Sequence, residues 1–146
     1  MEDIVQAKSV ASPVVRRTLL AGGVGVIPTD TMYGVVGSAL MPDVVERIYK
    51  LRGRDRKKPM IVLISDWSDL ARLGIRLTPT VRKKLGLLWP GSVSVVLPAP
   101  KASMTYLHRG GKTIAVRWPK LKPLVRLMTP VGPLVAPSAN LQGHDP

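Results

Sequence analysis

Apolar residues in this chain come in short runs cut by glycine and proline, and their spacing marks out the elements. Residues 13–21, PVVRRTLLA, have helical spacing, and Gly22-Gly23 stops them. Residues 24–28, VGVIP, predict a short buried strand that delivers Thr29, Asp30 and Thr31 at its carboxyl end. Residues 42–52, PDVVERIYKLR, open with Pro42 and Asp43 and put Val44, Ile48 and Leu51 on one helical face. MIVLI at 60–64 reads as a buried strand. Trp67–Leu73 predicts a short helix with Ser65 or Asp66 near its cap, and Thr78-Pro79 starts another that runs to about Leu88. WPGS at 89–92 is a turn, and VSVVL (93–97) and TIAVR (113–117) are strands. The stretch 99–112 between those strands is rich in small and basic residues and is expected to be a mobile loop. Residues 121–128 predict a helix, and PLVAP (133–137) a last strand opening into SANLQG (138–143). This order gives an α/β fold, a mixed sheet with helices packed on it.

Composition narrows the picture. At 146 residues and 45% apolar content, residues 1–146 read as one domain able to bury a real core. No apolar run nears the roughly 18 residues a membrane helix needs, so no membrane role is expected. The first ten residues, MEDIVQAKSV, lack a basic-then-apolar export pattern. With no cysteine, disulfides, thiol catalysis and cysteine metal sites are excluded, which suits a cytoplasmic protein. His108 and His144 are far apart and make no metal-ligand spacing, so no protein-bound metal is expected. The net charge of +13 draws in anions such as nucleotides, phosphates, tRNA or acidic surfaces.

The candidate chemistry lies at strand ends. Thr29, Asp30, Thr31 and Tyr33 follow the first strand, and Arg52 and Arg54 precede MIVLI. Ser92 and Ser94 sit at the start of strand 93–97, Arg117 ends strand 113–117, and Ser138 and Asn140 follow the last strand. Each has an ordinary reading. A Thr-Asp-Thr turn caps itself on nearby amides, and capping is the commoner role for an aspartate such as Asp30 than general-base work. Seven Lys or Arg in 47–58 make a solvated face, Arg117 a surface ion pair, Trp89 a packing residue and His108 a loop residue. Taken together, they read as a polar, cationic cavity lined from many parts of the chain.

Five motifs in order carry a resemblance: PTDTMYG, IYKLRGRDRKKPMIVLI, WPGSVSVVLPAP, TIAVRWP and PLVAPSANLQG. From about Gly23 to Gly143 the chain resembles the YrdC-like family of threonylcarbamoyl-AMP synthases, of the short single-domain type. The resemblance implies a twisted α/β sheet with a basic concave ligand cavity. It implies that L-threonine, bicarbonate and ATP become threonylcarbamoyl-AMP and pyrophosphate, for transfer by a partner transferase onto a tRNA adenosine. By the same resemblance, Thr31, Tyr33 and Arg117 would bind threonine, with Arg117 on its carboxylate. Arg52 and Arg54 would carry the chemistry on phosphates and carbamate, and Ser94, Ser138 and Asn140 would bind the nucleotide. Mg2+ would accompany ATP, held mainly by its phosphates.

The reaction makes sense of such residues. Every participant is or becomes an anion, so fixed cations and hydrogen-bond donors serve better than a nucleophile. Three features depart from the family pattern. Arg52 stands where lysine is common, which turns a point charge into a fork. Ser92 replaces a proline of the turn. The chain ends at SANLQGHDP, short of the family's usual C-terminal stretch. Two other readings stay open: a non-catalytic RNA- or tRNA-binding module, and a carbamoyltransferase-related domain. Against the first, stacking aromatics are scarce, with no Phe, three Trp and three Tyr.

Overall fold

The computed structural model describes residues 4–140. Its elements in chain order are α1 (Pro13–Leu20), β1 (Gly25–Pro28), β2 (Tyr33–Ser38), α2 (Pro42–Arg52), β3 (Val62–Leu63), α3 (Ser68–Arg72) and α4 (Pro79–Leu85). Then come β4 (Val95–Pro98), α5 (Thr105–His108), β5 (Thr113–Arg117), α6 (Lys122–Val131) and β6 (Leu134–Val135). The strands form one six-stranded sheet in the order β1-β2-β6-β3-β5-β4. The β3–β5 pair is parallel and the others are antiparallel, so the sheet is mixed, as expected.

Both faces of the sheet are covered. Val35, Val62, Ile64, Ile114 and Val116 join one core with residues of α2, α3, α4 and α5. Their sequence neighbours Val36 and Leu63 belong to the other core, with Leu19 of α1 and Leu124, Leu127 and Met128 of α6. Successive strand residues therefore serve opposite layers, which is the period-2 geometry of a strand buried on both faces. Each fully buried Leu or Ile contributes about 2 kcal/mol.

Helix α2 is held close to the sheet because Gly37 of β2 has no side chain. A Cβ there would stand 2.4 Å from Cγ1 of Val44 and 3.1 Å from Cδ1 of Ile48. The close approach buries Ile48 and Tyr49 and fixes where the helix ends, at Arg52. Gly53 then takes φ of +59°, a left-handed C-cap that glycine adopts without strain.

Four expectations are corrected. VGVIP is a half-exposed edge strand, with Val26 62% exposed, because β1 pairs only with β2. The stretch YGVVGS is a strand that the pattern did not announce, since five of its six residues are buried and no polar alternation marks it. Segment 99–112 is packed, not a mobile loop: it contains a 3-10 turn at Ala102–Met104 and α5, and buries Leu107 and His108. His108 ties that segment together, donating from Nε2 to the Lys101 carbonyl (3.2 Å) while Nδ1 accepts from the Gly110 N–H (3.0 Å). The last helix passes 128 and includes Pro130, whose missing N–H falls in the final turn. Trp89 does pack in the core, 4% exposed, with its indole N–H on the Val93 carbonyl.

Candidate functional site

The site is built at the turn between β1 and β2. Thr29 shapes that turn: its N–H and its hydroxyl both donate to the Met32 carbonyl, at 3.1 and 2.6 Å. Local capping, expected of the whole Thr-Asp-Thr stretch, is thus the work of Thr29. Asp30 is released from it. Its Oδ1 accepts from Nη2 of Arg117 at 2.9 Å, and both side chains are only 8% exposed. The ordinary readings of Asp30 as a cap and of Arg117 as a surface pair are both corrected: the two form a buried ion pair, 87 residues apart in sequence.

The contact crosses the sheet. The turn leads into β2, and β2 is separated from β5 by β6 and β3, about 14 Å at three strand spacings. The turn and the side chains of Asp30 and Arg117 together span that gap.

Arg117 collects two further residues. Its Nη1 donates to the Ser94 hydroxyl at 3.3 Å, and its Nη2 reaches the Thr31 hydroxyl at 3.4 Å. Ser94 lies just before β4, whose Val95 pairs with Val116, so the antiparallel ladder delivers it beside Arg117. Three separate segments thereby meet on one guanidinium. Two buried polar atoms of the pair keep no hydrogen-bond partner, Asp30 Oδ2 and Arg117 Nε. An unsatisfied buried group costs about 1–3 kcal/mol, so the site carries unused hydrogen-bonding capacity.

A second cluster adjoins the first. Arg52, 4% exposed, donates from Nε to the Ser138 carbonyl at 2.6 Å and from Nη2 to the Ser138 hydroxyl at 3.3 Å. Its Nη1 is buried without a partner. Burial, and secondarily the nearby charge of Arg54, pulls the pKa of Arg52 down from the ordinary arginine value. Ser138 is joined to the turn as well: it bridges Gly34, and its neighbours Pro137 and Ala139 bond to Val35 N–H and the Tyr33 carbonyl. The two clusters are therefore joined by hydrogen bonds, side-chain from Arg52 to Ser138, backbone from there to the turn, and side-chain again to Arg117.

The other expected residues make contacts of their own or lie at the edge of these clusters. Arg54 holds its own loop, donating to the Lys58 and Pro59 carbonyls. Tyr33 is 63% exposed, with its side chain in solvent. Asn140 is the last described residue, two positions beyond Ser138. Near the carboxyl end of β5, a separate cavity of about 380 Å³ is lined by Ser65, Trp118, Pro119, Lys120, Lys122 and Arg126, among others. Among the described residues no group of three or more His, Cys, Asp or Glu could hold a metal ion. None of their helices is long and apolar enough to cross a membrane. Asp30 stands among the polar strand-end residues, but the resemblance gives it no ligand and does not foresee its partner Arg117. Its one signal was a carboxylate between two threonines with no basic residue near it in the chain.

A mixed six-stranded sheet with helices on both faces defines an α/β domain, with polar residues gathered at a hairpin tip and strand ends. The chain belongs to the Sua5/YciO/YrdC family, whose model, described as "Telomere recombination", matches residues 17–146. It is 32% identical over 142 residues to a threonylcarbamoyl-AMP synthase of Thiobacillus denitrificans, covering 97% of this chain and 76% of that one. It is 36% identical over 118 residues to the Bacillus subtilis threonylcarbamoyl-AMP synthase, covering 80% of this chain. The structure of P. abyssi Sua5 complexed with L-threonine matches 92% of the chain with a TM-score of 0.80 at 29% identity. The chain spans 34% of the length of the Bacillus protein and 39% of that Sua5 chain.

Proposed function

We propose that this chain condenses L-threonine, bicarbonate and ATP into threonylcarbamoyl-AMP and pyrophosphate. One observation carries the reading: Asp30, Thr31 and Ser94 converge on Arg117, leaving buried donor and acceptor atoms without partners. The synthase names of its relatives and the L-threonine complex of Sua5 support it.

The threonine ammonium first gives up a proton. The free amine then adds to the carbon of CO2 with loss of a further proton, or to that of bicarbonate with loss of water, and becomes a carbamate. A carbamate oxygen then forms a bond to the α-phosphorus of ATP. The bond from that phosphorus to the bridging oxygen breaks, and pyrophosphate leaves with the electron pair. Arg117 is assigned to the threonine carboxylate, with Thr31 beside it. Arg52, Arg54, Ser94, Ser138 and Asn140 are assigned to the nucleotide and the carbamate. Because Arg52 is tied to Ser138, it acts partly by fixing the backbone that receives the phosphates. Magnesium, entering as the ATP complex, would neutralise charge on the phosphates. The carbamate is unstable in water, so the site must hold it aligned and dry.

The mixed anhydride is a labile acyl donor. A partner transferase acting on a tRNA adenosine is the assigned consumer, and the cytoplasm the assigned compartment. The net charge of +13 suits a polyanionic partner. The test is pyrophosphate release by the purified protein with ATP, magnesium and bicarbonate. Release that depends on L-threonine is the expected result. A folded sample that shows no such dependence would refute the assignment for this chain.

A further inference from the structure

We propose that Asp30 is the receptor for the α-ammonium group of the amino-acid substrate, so that Asp30 and Arg117 together select a zwitterion over a plain carboxylate. The proposal rests on the function proposed above and adds a residue and a selection rule to it.

The argument begins with what the ion pair leaves over. Asp30 and Arg117 meet at 2.9 Å, each with a side chain 8% exposed. Asp30 Oδ2 is an acceptor without a partner, and Arg117 Nε is a donor without one. The leftover set is one acceptor on an anion and one donor on a cation. An α-amino acid presents the complementary set, an ammonium and a carboxylate on one carbon. The two other side chains on Arg117, Thr31 and Ser94, are neutral hydroxyls.

Charge sharpens the choice. As a pair, Asp30 and Arg117 are neutral. A carboxylate docked on Arg117 alone would put a second anion beside Asp30 in a site poor in water, where like charges repel strongly. An ammonium on the same ligand removes that repulsion. Asp30 therefore rejects the deaminated acid while it accepts the amino acid, a repulsive and an attractive element in one side chain. Asp30 itself belongs to a four-residue turn at the surface, whose Met32 and the adjacent Tyr33 are 46% and 63% exposed.

The experiment is calorimetric titration with L-threonine and with 3-hydroxybutanoate, which keeps the carbon chain, carboxylate and hydroxyl and lacks the amine. The wild type should prefer threonine by about tenfold or more. In Asp30→Asn, threonine should weaken by about tenfold, whereas 3-hydroxybutanoate should hold or tighten because the repelling anion is gone. Asp30→Glu, which keeps the charge, should keep the preference. Equal weakening of both ligands in Asp30→Asn would mean that Asp30 only orients Arg117, and would overturn the proposal. So would a wild type that binds the two ligands equally, a result that needs no variant to fold. If the wild type ignores threonine but takes another L-amino acid over its deaminated analogue, the function proposed above fails and the zwitterion receptor stands. If it takes no amino acid, both fall.

Discussion

Arg109 and Arg117 each hold a carboxylate supplied by a distant segment, and they differ in what remains unsatisfied. Arg109, 12% exposed, pairs with Glu46 and donates to the Arg56 and Tyr106 carbonyls. Its guanidinium also lies 4.4 Å over the ring of Tyr49. Among the described residues, no buried Arg109 atom lacks a partner. Arg117 is more deeply buried and yet keeps Nε unpaired, facing a carboxylate that also keeps an unpaired oxygen. Folding alone favours the first arrangement, because every desolvated donor is repaid by an acceptor. The second makes sense where a ligand completes the set. Arg109 ties α5 to α2, and Arg117 is the residue we propose for the substrate carboxylate.

The sharpest way to break this contrast is Arg117→Ala. Threonine-dependent pyrophosphate release should fall by at least ~100-fold, since a fixed cation on a reacting anion is removed. If release is unchanged, Arg117 belongs with Arg109 as a packing residue. Arg109→Ala should do the opposite. Urea denaturation should show a loss of about 2 kcal/mol, from the ion pair and the Tyr49 stacking together, with catalysis per folded molecule intact. Arg52→Lys tests an intermediate case. A lysine cannot fork onto the carbonyl and hydroxyl of Ser138, so about 1 kcal/mol of stability should be lost while the charge is kept. Melting curves with and without ATP would separate that loss from any effect on the nucleotide.

The smallest effect concerns Tyr49, whose hydroxyl donates to the Lys58 carbonyl at 2.7 Å. Burial pushes its pKa up, more than the Arg109 and Arg54 charges pull it down. The folded protein therefore binds the phenolic proton more tightly than the unfolded chain does. That stability is fully present below the unfolded tyrosine value of about 10 and is lost as pH rises through the folded value. Melting temperatures taken from pH 8 upward should drop above that point, and Tyr49→Phe should flatten the drop.

Much of the fold was legible in the sequence, for local reasons. TIAVR is β5 at the expected bounds, because Ile114 and Val116 face one core and a turn flanks each end. Pro42, Asp43 and Gly53 bound α2 by capping rules alone. β2 was not legible, because a strand buried on both faces loses its alternation and two glycines dilute its apolar signal. The small, basic residues of 99–112 hid a segment that His108 staples from within, through bonds to Lys101 and Gly110 that no composition encodes. In the site, the polar strand ends could be picked out, and the motif order named the family. What could not be read was which of them touch. The partnership of Asp30 with Arg117 depends on strand order, a property of six strands together, and the tie of Arg52 to Ser138 spans 86 positions.

The three tryptophans of the chain have a consequence of their own. Trp67 sits 6.1 Å from Trp89 and edge-on to Trp118 at 5.3 Å, and Trp118 follows Arg117 directly. The protein's tryptophan emission, excited beyond the tyrosine band, therefore comes from a single cluster beside the carboxyl end of β5. A shift in Arg117 moves the backbone of the nearest fluorophore. The molecule carries its own optical gauge of what happens at that guanidinium, readable without a label.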